Sequence, residues 1–252
     1  MAGTRWHDVS WGAAGILVFL AAWEIASRSG IVTPTLAPPP SHIPAAFLRE
    51  IANGEWQATV VASLRHYALG VFLGTIGGIA FGLAVAIFPR FAAALAGIVR
   101  ILRPIPPLAW IPFAIIWFGV SETAAALVIA IGVFWLNYFA TVGAVEVVDP
   151  RFLELARAFG HQGLAARLIK IILPAASPGI LAGIRAGIGQ GWMAVVAAEL
   201  FGIPGIGQRM MEAAGLLATD IVVLYMLTIA LLYALSDMIF ARFSARLLAW
   251  TK

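Results

Sequence analysis

Six apolar runs, each near the length of a bilayer-crossing helix, leave this chain few ways to fold. They are Trp11–Ala26, Ala68–Phe88, Ile105–Val120, Thr123–Val145, Ala175–Leu200 and Ile221–Phe240. A helix needs about 20 mostly apolar residues to cross the hydrocarbon core. In lipid every backbone N–H and C=O must be satisfied internally, which restricts runs of this length to helices. The 252 residues are 62% hydrophobic and 11% charged, with a mean hydropathy of +0.96. The fold class that follows is all-α integral membrane, with about six transmembrane helices in one domain over 1–252. Residues 1–34 carry an N-terminal helix and 35–252 the core. Two readings stay open for the third run, which contains Pro104, Pro106, Pro107 and Pro112: extension by the apolar residues 91–99, or a broken helix. The first run reads as a retained helix with Trp11 and Trp23 as interfacial anchors. A cleaved signal peptide is its alternative, but Glu24 and the lack of a small-residue cleavage site fit that poorly.

Six spans place both termini on one side. If that side is the cytoplasm, it holds Arg5, Arg90, Arg100, Arg103, Arg151, Arg157, Arg167, Lys170, Arg185, Arg242, Arg246 and Lys252, with Arg185 inside a helix. Only Arg28, Arg49, Arg65 and Arg209, of 16 basic residues, fall outside. The positive-inside rule therefore predicts cytoplasmic termini. The outer connector 27–67 carries Pro34 and Pro38–Pro40, which oppose helix, followed by a candidate interfacial helix within 43–65. A second outer loop, 201–220, holds Gly202, Pro204, Gly205 and Gly207 and reads as turns.

Two spans carry glycine at every fourth position: Gly70, Gly74, Gly78 and Gly82 in the second, Gly179, Gly183, Gly187 and Gly191 in the fifth. Residues four apart share a helix face, so each ladder is a groove into which a neighbouring backbone can settle. Close packing is the plain reading, and a sliding surface is the other. Polar residues within spans are expensive and mark functional candidates. Here they are Glu24, Asn137, Gln190, Glu199 and Asp237, with interhelical packing as the competing role. The chemistry of a catalyst is missing. His7, His42, His66 and His161 have no ligand spacing. Neither lysine, Lys170 or Lys252, sits in a phosphate-binding G-x-x-x-x-G-K-[ST] loop. There is no cysteine and no G-x-S-x-G elbow.

Between the fourth and fifth spans lies a basic stretch, residues 151–174. Phe152, Leu155, Ala156 and Phe159 recur at helical spacing as an apolar face, opposite Arg151, Glu154, Arg157 and His161. Gly160 suits a helix cap. A second helical piece, 164–172, is expected to stop before Pro174. Such a helix can lie on anionic lipid or dock a soluble partner, and periodicity leaves both open.

Glu154-Leu155-Ala156 with Gly160, followed by Ile171-Ile172-Leu173-Pro174, resembles the EAA loop of ABC importer permeases. Arg103 to Pro112, Ile116-Trp117-Phe118-Gly119 with Glu122, Pro38-Pro39-Pro40-Ser41, Gly191-Trp192, Ala197-Ala198-Glu199 and Ala218-Thr219-Asp220 look like the taurine, sulfonate and nitrate permease group. The likeness spans about residues 35–250. Two departures stand out: leucine in the second place of the triplet, and one extra residue between Gly160 and Pro174.

The resemblance implies a type I (MetI-like) ABC importer fold with a coupling helix inside the loop 150–174. Two copies would pair with two ATP-binding cassette subunits, which hold ATP and magnesium, and with one external substrate-binding protein in a bacterial cytoplasmic membrane. It implies no cofactor, metal or nucleic acid for this chain, membrane lipid around it, and no bond chemistry in it. Glu154, Leu155, Ala156, Arg157, Ala158, Phe159 and Gly160 would couple to the ATPase. Pro106, Trp110, Trp117, Asn137, Gln190, Met193 and Glu199 are the candidates for pathway or gate. A sulfonate-, taurine- or nitrate-like anion would be the solute, with pyrimidine precursors or other organics as alternatives. The rival architecture is a self-contained secondary transporter or channel, which needs inverted repeats or an intramembrane charge network; neither is evident in the sequence.

Overall fold

The computed structural model of the chain describes residues 3–30, 33, 35–152, 154 and 163–249, and among these the regular structure is helical, without strands. In order, the helices are α1 (Gly3–Arg28), α2 (Ile43–Ala52), α3 (Glu55–Ile87), α4 (Pro89–Leu102), α5 (Ile111–Phe118), α6 (Glu122–Glu146), α7 (Leu164–Arg167), α8 (Leu173–Glu199), α9 (Ile206–Gly215) and α10 (Thr219–Leu247). Four helical stretches are long and apolar enough to cross a membrane: α3, α6, Leu164–Glu199 and α10. A fifth is the bent pair of α4 with Pro107–Phe118, at 91° to each other. The third run is therefore both extended, by α4 over residues 91–99, and broken at its prolines. Each half rises only about 20 Å, too little for a core about 30 Å thick. Pro104, Pro106 and Pro107 lack N–H donors and push the residues before them out of the helical region, so the chain breaks there.

The core is built around α6. The Gly70–Gly82 ladder and Gly179, Gly183 and Gly187 pack closely against α6, while Gly191 packs against Val71 and Tyr67 of α3. On α3, a Cβ added to Gly74 would lie 2.5 Å from the Ala130 carbonyl oxygen, and one on Gly78 2.5 Å from that of Phe134. On α8, a Cβ on Gly183 would lie 2.3 Å from Ala140 Cβ, and one on Gly179 2.6 Å from Ala144 Cβ. Only glycine lets these backbones approach so closely. Ile129, Val133, Trp192 and Val195 fill the centre between α6 and α8. Tyr67 of α3 stacks on Trp192 with ring centroids 4.3 Å apart, and the Trp192 indole donates to Ser236 Oγ of α10.

Three expectations need correction. α3 starts at Glu55, well before Ala68, because Thr59, Ser63 and His66 are buried polar positions that interrupt the apolar run without interrupting the helix. Within the region 201–220 the chain forms α9, whose Ile206 and Ala213 bury one face while Gly202 and Gly205 supply the turn before it. The helical piece at 164–172 does not end before Pro174. It continues through a π-helical turn, Leu168–Ile172, into α8. That wider turn lies just ahead of Pro174, whose ring would crowd the preceding turn of a regular α-helix. The interfacial helix expected within 43–65 is α2, closed off by Gly54 at φ 75°.

Candidate functional site

Helix α8 turns two unlike faces to its surroundings. One carries the glycine ladder against α6. The other exposes Ala182, Arg185, Ala186 and Met193, the last 71% exposed. At the edge between them sits Gln190. Its side chain and the ring of Pro107 both lie over Gly132 of α6, where an added Cβ would be 3.7 Å from Gln190 Cγ and 3.1 Å from Pro107 Cγ. The proline-tryptophan segment therefore lies against α6 and α8 together. Arg103 starts this segment with its guanidinium 4.5 Å from the centre of the Phe139 ring, a cation–π contact with α6. From there Trp110, Phe113 and Trp117 form a row of rings at 6.1 and 6.0 Å. Pro106 and Trp117 are exposed, while Trp110 is half-buried beside a cavity of about 280 Å³ with Leu73, Gly74 and Phe134. The Trp110 indole N–H has no acceptor among the described residues.

The remaining two pathway candidates sit elsewhere. Asn137 is sealed in the seam of α3, α6 and α8, 1% exposed, under the Gly78 and Gly187 backbones. Its Nδ2 donates to the Val133 carbonyl, and its Oδ1 has no partner among the described residues. Glu199 is fully buried at the far end of α8. It accepts from Ser63 Oγ and from the Gly207 N–H, both at 2.9 Å, and lies 2.9 Å from His66 Nδ1. Ser63 Oγ in turn accepts from the Ile206 N–H. One carboxylate thus ties α8 to α3 and caps the start of α9, whose first N–H groups have no intrahelical partner.

At the same end, Glu50 of α2 accepts from Arg209 of α9 at 2.7 and 3.1 Å and from the Tyr225 hydroxyl of α10 at 2.9 Å. The Arg209 fork holds the Glu50 carboxyl below the usual carboxylate range, against its burial, and Glu50 raises Arg209 in return. Arg49 pairs with Asp220. Nothing in the local sequence announced these pairs, because their members stand more than 150 residues apart.

At the opposite end, the stretch after α6 opens a new helix. Asp149 caps it, with its Oδ1 accepting from the Arg151 N–H at 2.9 Å, and Pro150 follows in the first turn, where a missing N–H costs nothing. Arg151, Phe152 and Glu154 are helical and exposed. The predicted coupling residues Leu155, Ala156, Arg157, Ala158, Phe159 and Gly160 lie outside the described residues.

Comparison with known proteins agrees with this architecture. The family model described as "Binding-protein-dependent transport system inner membrane component" matches residues 66–249. The taurine transport system permease protein TauC of Escherichia coli (strain K12) is 31% identical over 98% of this chain and 92% of its own length. The bicarbonate transport system permease protein CmpB of Synechococcus elongatus is 35% identical over 77% of this chain and 73% of its own. An inward-facing structure of the MetNI methionine ABC transporter superposes with a TM-score of 0.66 at 20% identity, covering 75% of this chain and 94% of that one, and so shares the fold. The chain belongs to the family of binding-protein-dependent transport system inner membrane components, and it is a transmembrane permease subunit of an ABC importer.

Proposed function

We propose that two copies of this chain form the pore of an ATP-driven importer for a small anion of the sulfonate, taurine or bicarbonate type. Two ATPase subunits, carrying ATP and magnesium, sit at the loop end, and a substrate-binding protein delivers solute at the α9 end. The solute class rests on the relatives, several of which are named as taurine, aliphatic sulfonate and bicarbonate permeases. The loop end is assigned to the cytoplasm because all but four of the basic residues fall on that side of the six-span topology. α1 adds a sixth span: its 26 residues present Ile16, Leu17, Val18 and Phe19 outward, an apolar surface suited to lipid.

The observation that carries the mechanism is continuity. From Leu164 the chain runs helically through the π turn into α8, so the segment that follows the docking residues leads without a break into the helix that carries the exposed face. Closure of the ATPase dimer moves the loop, and α8 transmits that movement to the Met193 and Gln190 face. Glu154 anchors the docking helix by charge-assisted hydrogen bonding. Leu155, Ala156, Arg157, Ala158 and Phe159 form its contact surface, and Gly160 sets the turn. Pro106, Trp110, Trp117, Gln190 and Met193 border the pathway. Asn137 and Glu199 hold the seams on either side of it.

Whole-cell uptake and ATPase activity of Glu154→Lys and Gly160→Trp test the assignment. Both variants should insert in the membrane and lose uptake coupled to ATP hydrolysis. Normal coupled uptake in both would refute it.

A further inference from the structure

Arg185 and Asp237 form a forked ion pair between two membrane-spanning helices, α8 and α10. Arg185 Nε lies 2.6 Å from Asp237 Oδ1, and Nη2 lies 2.7 Å from Oδ2. Arg185 is about 18 Å along α8 from Leu173 and about 21 Å short of Glu199, so it sits near mid-span. Asp237 is three residues, about 5 Å, from the Phe240 end of the sixth apolar run, so the pair lies between the loop end and the middle of the membrane. Yet the Arg185 side chain is 56% exposed in the protomer, and Asp237 23%.

Charged side chains at this depth face a bundle interior or a water-filled path, because hydrocarbon leaves them unsolvated. The surrounding surface supports that choice. Along α8 the exposed neighbours of Arg185 are Ala182, Ala186 and Met193. The exposed side of α3, by contrast, is Leu69, Phe72, Leu73 and Ile76, bulk suited to lipid. A guanidinium has five N–H donors. Asp237 occupies Nε and Nη2, and the Nη1 pair has no acceptor among the described residues.

We propose that Arg185 is an anion-binding station on the transport path, held in readiness by Asp237. A sulfonate, carboxylate or hydrogencarbonate oxygen first meets the open Nη1 edge. It then competes with Asp237 for the fork, whose planar geometry suits such groups. Asp237 takes the fork back when the solute leaves, so the site is never an uncompensated cation in the membrane. The assignment rests on the anion-importer reading above and adds a specific residue to it.

The test uses the complete complex of permease, ATPase and binding protein in proteoliposomes, with ethanesulfonate, taurine and bicarbonate as probes. Arg185→Gln should lower uptake about tenfold or more, the scale of a lost hydrogen bond to a charged group. Its ATPase stimulation by the binding protein should stay within about twofold. Asp237→Asn should keep uptake and lower the half-saturating anion concentration, since it removes the competitor and leaves the cation. A merely structural ion pair predicts the opposite: equal damage from both variants. Equal loss, or full uptake in Arg185→Gln, overturns the assignment. If Arg185→Gln does not assemble, Arg185→Lys carries the comparison. Reduced uptake by that assembled variant supports the forked site, and unchanged uptake overturns it. A wild-type complex that transports none of the three anions fails the substrate-class reading, and the station with it. A wild-type complex that transports one of them as well after Arg185→Gln fails the station alone.

Discussion

At the scale of single residues, backbone contact decides which glycines matter. A methyl at Gly78 would press on the Phe134 carbonyl, which belongs to a helix and cannot step aside. Gly78→Ala should therefore cost about 1–3 kcal/mol, the range for overpacking a tight interior. Gly143 of α6 has nothing within 4 Å of the same added atom. Gly143→Ala should be neutral or stabilise by up to about 1 kcal/mol through helix propensity. Thermal unfolding midpoints of the detergent-purified protein separate the two. Both ladders were legible in the sequence as spacing, but their partner, α6, was not. Glu199 illustrates the limit more sharply. It was visible as a rare acid in an apolar run, while its partners Ser63 and His66 lie 136 and 133 residues away and are apparent only once the helices meet. Glu199→Ala should orphan the Gly207 N–H and Ser63, at about 1–3 kcal/mol for each buried group left unpaired. Glu199→Gln, which keeps an acceptor oxygen, should cost less by the same measurement.

At the scale of elements, the end formed by α2, α9 and the start of α10 is clamped by charge. Glu50 is held below its ordinary range by Arg209. Its ionised form is therefore favoured in the folded protein. The resulting stability is complete above the unfolded carboxylate value, about 4.3, and is lost as pH falls through the lower folded value. Hydrogen exchange in α9 should speed up as the pH drops below about 4, and Glu50→Gln should flatten that acid limb while raising exchange at neutral pH. Unchanged α9 exchange in Glu50→Gln would remove the clamp from the account. The helix α9 escaped the sequence reading because Gly202, Pro204, Gly205 and Gly207 dominate its start. The available signal was the helical spacing of Ile206, Met210 and Ala213, with Ile206 and Ala213 buried. The proline-rich third span was legible only as extended by 91–99 or broken; it is both, since three prolines in four positions deny donors and helical geometry to their neighbours between the two halves. Pro174 misled in the other direction: the π turn ahead of it let the helix carry on.

At the scale of the whole molecule, the helical stretch from Leu164 to Glu199 runs unbroken through the π turn, with an exposed small-residue face along α8 and a clamped cap at the far end. In the proposed mechanism the loop is the input and α8 the lever. The helix class was readable from the apolar runs, and the permease family from the motifs that resemble it. Which charges meet inside the bundle was not, because Arg185 and Asp237 belong to different spans.

The central claim is that the stretch around Glu154 seats the ATPase subunit. The chain has no cysteine, so single cysteines report cleanly. Glu154→Cys can be compared with Leu216→Cys, which is 78% exposed at the α9 end. Each is treated with a short bifunctional thiol–amine crosslinker in the complex purified with its ATPase. The account predicts an adduct with the ATPase from Glu154→Cys and none from Leu216→Cys. An adduct from Leu216→Cys, or none from Glu154→Cys while the ATPase remains bound, would contradict it.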